Sequence, residues 1–354
     1  MNYLFTNSSL LSIKNHMKII YLICVFICGS LLLSVHAQEV SPGYKIVNKI
    51  HLNGDEKWDY LFSDDAAGRL YVSHGDRVHV VDQSTGTELG TITGLEGVHG
   101  IAIAQDFNKG FISTKNDNMV IIFDTKTFKV IEKIDAEGKS PDAILFDPFS
   151  RKVFVCNGHS NNATVLDPKT DKIVATIAFT GNPEFSVTDG KGKIYINLED
   201  ASKLAVVNAT SYKVENEWPL APGEEPSGLA LDNENHRLFS VCSNNYMVVT
   251  DAISGRIITT LPIGSKPDGA AFDPGLKRAF SSNGEGTLTI VQEGADGNYA
   301  VLENLPTQKS AKTMTVNKLT HHAYLSAADF ETSKDGSKPS LVPGSFVVLD
   351  IVPK

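Results

Sequence analysis

The chain has 354 residues, 42% of them hydrophobic and 21% charged, with 41 acidic against 32 basic side chains and a formal net charge of −9. That balance provides no basic surface for nucleic acid or an anionic membrane, because counterion release needs clustered Lys and Arg. Four cysteines without CxxC or metal-type spacing exclude a zinc ribbon and a disulfide framework.

In chain order, the first 37 residues carry Lys14 and Lys18, no acid, and the apolar run Ile19–Val35, ending in Val35-His36-Ala37. A basic start, a hydrophobic centre and a small-residue exit predict a secretory signal peptide over 1–37, with Met17 as an alternative start. Ile27 before Cys28 is too large for a lipoprotein cleavage site. A secreted or periplasmic chain from Gln38, with no membrane span after cleavage, is therefore expected. It keeps 30 cations against 41 acids, a formal charge of −11, and only Cys156 and Cys242, expected as buried free thiols.

Residues 38–354 repeat one unit, clearest over Ser140–Ile177: an apolar strand ending at Asp147-Pro148, a strand opening Lys152-x-Phe154, a polar loop, a strand closing on Asp167, a turn, and Lys172–Ile177. Four short strands parted by turn chemistry read as an antiparallel meander that needs stacked copies to bury its faces. The second strand's aromatic recurs as Tyr71, Phe111, Phe154, Tyr195, Phe239, Phe280 and Tyr324, in steps of 40 to 44 residues. Two positions earlier stand Arg69, Lys109, Lys152, Lys193, Arg237, Arg278 and His322; the third strand supplies Asp82, Asp124, Asp167, Asn208, Asp251, Gln292 and Asp350. These columns predict an all-β, seven-bladed β-propeller of four-stranded antiparallel blades, starting near residues 58, 99, 141, 183, 226, 267 and 312. The last copy lacks a fourth strand, and Tyr44–Leu52 is an orphan of that type, so the N-terminal strand should close the last blade. Residues 329–344 form a loop insertion.

The segments Val153-Phe154-Val155-Cys156-Asn157, Thr164-Val165-Leu166-Asp167 and Leu261-Pro262-Ile263-Gly264-Ser265-Lys266-Pro267-Asp268-Gly269 resemble the YVTN family of β-propeller repeats. The resemblance runs from about residue 44 onward and implies a fold, not an activity. It departs from the pattern at Glu184-Phe185, where Asp-Gly is usual, and in the last copy.

Function in such a fold is expected on loops that gather around the channel. At the start of the innermost strand successive copies place Asp59, His99, Asp142, Glu184, Ser227, Asp268 and Thr313. Asp59, Asp142, Glu184 and Asp268 could hold Ca²⁺ or Mg²⁺, which favour several oxygen ligands, or a cationic ligand; as caps of a Pro-Asp-Gly turn they need hold nothing. His74 and His159, in within-blade loops, are further binding or base candidates. His321-His322 is not a metal pair, because strand neighbours point to opposite faces. No G-x-S-x-G, H-E-x-x-H, P-loop or dinucleotide fingerprint is present. The expectation leans to a non-catalytic, monomeric scaffold binding a protein, glycan or small molecule; the alternative is a metal-dependent, lactonase-like hydrolase or lyase with its site at the channel mouth.

Overall fold

A computed structural model describes residues 43–294, 297–331 and 339–354. The signal-peptide reading and the middle of the 329–344 insertion fall outside these residues. The described strands form seven four-stranded antiparallel sheets, each ordered inner, second, third, outer, and together they make a seven-bladed β-propeller. The inner strands are Trp58–Asp64, Val98–Ala104, Pro141–Asp147, Pro183–Thr188, Pro226–Asp232, Pro267–Asp273 and Thr313–Val316. Each touches the inner strands of its neighbours, and the last touches the first.

The repeat columns have separate physical jobs. All seven second-strand aromatics are buried, at most 5% exposed, in apolar clusters that join one blade to the next. Burying each such ring contributes about 1.5–3 kcal/mol, so the period of the sequence is the period of the core. The cationic column faces the third-strand column across the sheet. Arg237 meets Asp251 at 2.9 Å, Lys152 meets Asp167 at 3.5 Å and His322 meets Asp350 at 2.7 Å. The third-strand Asp also accepts hydrogen bonds from the turn that follows: Asp124 Oδ1 takes the N–H groups of Lys126 and Thr127 at 3.0 and 2.7 Å. These cations are engaged in structure.

The ring closes as the orphan strand predicted. Tyr44–His51 pairs antiparallel with Val347–Pro353, so the last blade takes its outer strand from the N-terminal side. Tyr44 is fully buried, its ring 5.6 Å from Phe280 in an edge-to-face contact and under the Arg278 guanidinium. Cys156 and Cys242 are both buried and unbridged. Among the described residues no helix is long and apolar enough to cross a membrane.

Tyr44→Ala should cost about 3–5 kcal/mol in urea denaturation, the usual range for emptying a buried aromatic site. Deleting residues 44–51 should leave an insoluble or unfolded chain, because it strips the partner from Val347–Pro353. A soluble truncation of unchanged midpoint would contradict the closure.

Candidate functional site

Six of the seven inner strands begin with a register shift, between Trp58 and Leu61, Val98 and Ile101, Pro141 and Ile144, Pro183 and Ser186, Pro226 and Leu229, and Pro267 and Gly269. A bulge leaves the intervening residues outside the ladder and re-aims their side chains. The residues so released include Asp59, His99, Asp142, Glu184, Ser227 and Asp268, each the second residue of its strand. They lie within strands; the sequence reading of Asp as the cap of a Pro-Asp-Gly turn is corrected accordingly.

Freed backbone groups need partners when buried. Second-strand hydroxyls supply them: Ser73 Oγ accepts from Asp59 N–H at 2.9 Å, and Ser113 Oγ accepts from Gly100 N–H at 2.8 Å while donating to the Asp142 carbonyl of the next blade. Thr313 Oγ1 donates to the Asp59 carbonyl at 2.7 Å, carrying the stitching across the closure. Gly100 permits this approach, since a Cβ there would lie 2.8 Å from the Asp142 carbonyl oxygen.

Five of the released side chains line a cavity of about 270 Å³ at the channel mouth. Its wall includes Asp59, His99, Asp142, Glu184 and Asp268, together with His159, Lys115, Asn182, Glu199 and Lys312. His99 Nδ1 stands against Asp59 Oδ2 and lies 3.3 Å from Asp142 Oδ1, and Lys115 Nζ is 3.8 Å from the other Asp142 oxygen. On the far side Lys312 Nζ is paired with Asp268. Tyr60 reaches across the ring to donate to Glu184 Oε1 at 3.4 Å, its ring edge-on to Phe185. Beneath runs a largely apolar channel of about 550 Å³, lined by Leu61, Ile101, Ala143, Phe185, Leu229 and Met314 among others.

The electrostatics follow from burial and crowding. Burial pulls the His99 pKa down, but attraction to Asp142 and Asp59 at hydrogen-bonding range overrides it and carries it up to about 10, so the imidazole is cationic at neutral pH. Glu184 is pushed up to about 9, first by burial and then by repulsion from Asp142, Glu199, Asp268 and Asp59, and is a neutral acid at pH 7. Asp268 is raised by burial against the pull of Lys312.

The expected four-carboxylate Ca²⁺ or Mg²⁺ site does not assemble from Asp59, Asp142, Glu184 and Asp268. Among the described residues, the donor atoms that converge within 4.8 Å of one another are those of Asp59, His99 and Asp142. Glu184 is turned to Tyr60, and Asp268 to Lys312.

His159, in a short 3₁₀ turn over Gly158–Ser160, lines the mouth. His74 does not. It is the last paired residue of its strand, fully buried, stacked 3.9 Å from Phe346, with Nδ1 3.2 Å from His79 Nε2. Burial, helped by His79, lowers its pKa to about 4, so the expected base is a neutral packing residue of the seam between the first and last blades. His321 and His322 bind separate carboxylates, Asp273 and Asp350. The sequence reading missed Lys115 and Glu199, each directly after a second strand; register-matching the position just before His159 would have found both.

Comparison with protein-family models finds no match. Among curated proteins, Antigen Lp49 of Leptospira interrogans serogroup Icterohaemorrhagiae serovar copenhageni (strain Fiocruz L1-130) is 25% identical over 186 residues, 50% of this chain. The match spans 40% of that relative's length. Among solved structures, a chain of Kuenenia stuttgartiensis hydrazine synthase superposes with a TM-score of 0.65 at 15% identity, covering 83% of this chain and 97% of that one. U3-55K gives 0.71 at 9% identity over 87% and 98% of the two chains, and the WD40 repeats of RRP9 give 0.72 at 9% over 88% and 98%. At these identities the likeness shows the fold alone: the chain is a seven-bladed β-propeller.

A carboxyl whose folded pKa exceeds its unfolded value contributes stability that is intact below the unfolded value and lost as pH rises through the folded one. For Glu184 that window runs from about 4.5 to about 9. Between about pH 5 and pH 9 the wild type should lose at least about 1.4 kcal/mol relative to Glu184→Gln, the worth of one pKa unit, in urea denaturation. Parallel profiles would show that Glu184 is ionised at neutral pH.

Proposed function

We propose that the chain is an exported, monomeric and non-catalytic propeller scaffold that binds a small polar ligand bearing a cationic group at the mouth of its channel. The observation that carries this is the set of bulge-released residues, which brings Asp59, His99, Asp142, Glu184 and Asp268 from five blades into one cavity. Its wall holds Asp59, Asp142, Glu199 and Asp268 beside the protonated Glu184, against Lys115, Lys312 and the cationic His99, so acidic groups outnumber cationic ones. A recess so lined raises the local concentration of cations.

Among the described residues the lining has no Phe, Tyr or Trp on which a sugar face could stack, which weighs against a glycan. Among the described residues it also lacks the Trp, Tyr and Arg anchors on which protein interfaces turn. Its volume of about 270 Å³ suits a small molecule. Export is supported by the sequence of residues 1–37 and by the name of the curated relative, an antigen.

One observation favours the alternative of a metal-dependent, lactonase-like hydrolase or lyase: the convergence of Asp59, His99 and Asp142. In that reading His99 sits with the ligands, and His74 is too deeply buried to serve as base.

The test is the melting temperature of the full chain with putrescine. At a hundred times its dissociation constant, a ligand of the folded state adds about 2.7 kcal/mol. The melt should rise for wild type and stay put for the Asp59→Asn, Asp142→Asn double variant. No rise, or an equal rise in the variant, would overturn the proposal; a rise with neutral monosaccharides instead would replace the ligand class.

A further inference from the structure

We infer that the cation suited to the Asp59–His99–Asp142 corner of the mouth is a divalent transition metal of the Zn²⁺ class. The inference rests on the reading of the mouth as a cation site and names the ion.

The three residues occupy the same position on three consecutive inner strands, and their donor atoms lie within 4.8 Å of one another. Asp142 is 7% exposed and Asp142 Oδ1 is shut off from solvent without a well-directed hydrogen bond; so is His99 Nδ1, which faces it at 3.3 Å. An imidazole Nδ1 carries at most one hydrogen and can aim it at one carboxylate only. Here two carboxylates approach the same nitrogen, so one buried oxygen is left unserved. Such a group costs free energy unless something reaches it. One metal ion, bound to Nδ1 in place of its hydrogen, which passes to solvent, and to an oxygen of each Asp, would serve all three atoms at once.

The donor set selects the ion. Ca²⁺ seeks six to eight oxygens and Mg²⁺ a near-octahedral oxygen shell, whereas two carboxylates and a nitrogen converge here. Imidazole with carboxylates suits Zn²⁺ and its transition-metal neighbours, and three protein ligands leave a position open to the cavity. The frame is built before any ion arrives. Ser73 and Thr313 hold the backbone of Asp59, Ser113 holds the carbonyl of Asp142, and Lys115 stands beside the outer Asp142 oxygen.

The full chain, stripped with EDTA and dialysed free of it, is titrated calorimetrically with ZnCl₂, CaCl₂ and putrescine, and separately with CoCl₂ while the visible spectrum is recorded. The expected result is one Zn²⁺ per chain, no competition from excess Ca²⁺, and a Co²⁺ absorption band of nitrogen–oxygen ligation. His99→Gln and Asp142→Asn should each weaken Zn²⁺ by at least about tenfold, and His99→Gln should alter the band. Circular dichroism confirms that each variant is folded; if Asp142→Asn is not, Asp59→Asn takes its place. Equal binding of Ca²⁺ and Zn²⁺, or Zn²⁺ binding unchanged in a folded His99→Gln, overturns the inference. Putrescine binding without Zn²⁺ binding sinks the metal and leaves the cation site standing; if neither binds, both fall.

Discussion

The mouth depends on the bulge near the second residue of the inner strands. A regular ladder would commit each of those residues to pairing, and alternate side chains would face the sheet's two sides. In five of the six strands the register shift frees two residues at once, and between Pro267 and Gly269 it frees Asp268 alone. The second aims into the mouth, and the third, as with Tyr60 and Phe185, lies at the seam with the channel below. The cost is a set of unpaired backbone groups in a crowded ring, offset by hydroxyls of second strands that bond both their own blade and the next. Substituting Ser113 would therefore disturb two inner strands together.

From that constraint the electrostatics follow. Seven strands converge on one axis, so identical positions crowd one another, and five acidic chains in the mouth cannot all ionise freely. The molecule resolves the crowding in three ways. His99 takes up a proton between Asp59 and Asp142, Lys312 neutralises Asp268, and Glu184 retains its own proton. Polar groups held ready in fixed places are what a small-ligand site requires, because their ordering precedes binding.

Much of this was legible in the sequence because the repeat columns are packing and turn devices. An aromatic every 40 to 44 residues is the core between blades, and an Asp at the end of a third strand caps its turn. Equal register puts equal positions at equal height, so the mouth column from Asp59 to Thr313 could be read by alignment alone. What alignment could not give is the distance across a ring. It offered four carboxylates as one metal set, while the fold gathers Asp59, His99 and Asp142 and turns Glu184 and Asp268 to other partners. His74 was misjudged for a related reason. One further rung of pairing, with Trp58, turns an apparent loop residue into the last of a strand, facing Phe346.

His99 is held between two carboxylates at the mouth, and its own titration is the test of that grip. Nitrogen-15 NMR of the imidazole, assigned with a His99→Gln variant, reports the charge of the ring in the metal-free protein. The expected result is a ring protonated on both nitrogens through neutral pH and titrating near 10. A transition near the ordinary value of 6.5 would mean that Asp59 and Asp142 do not grip it, and the mouth described here would not exist in solution.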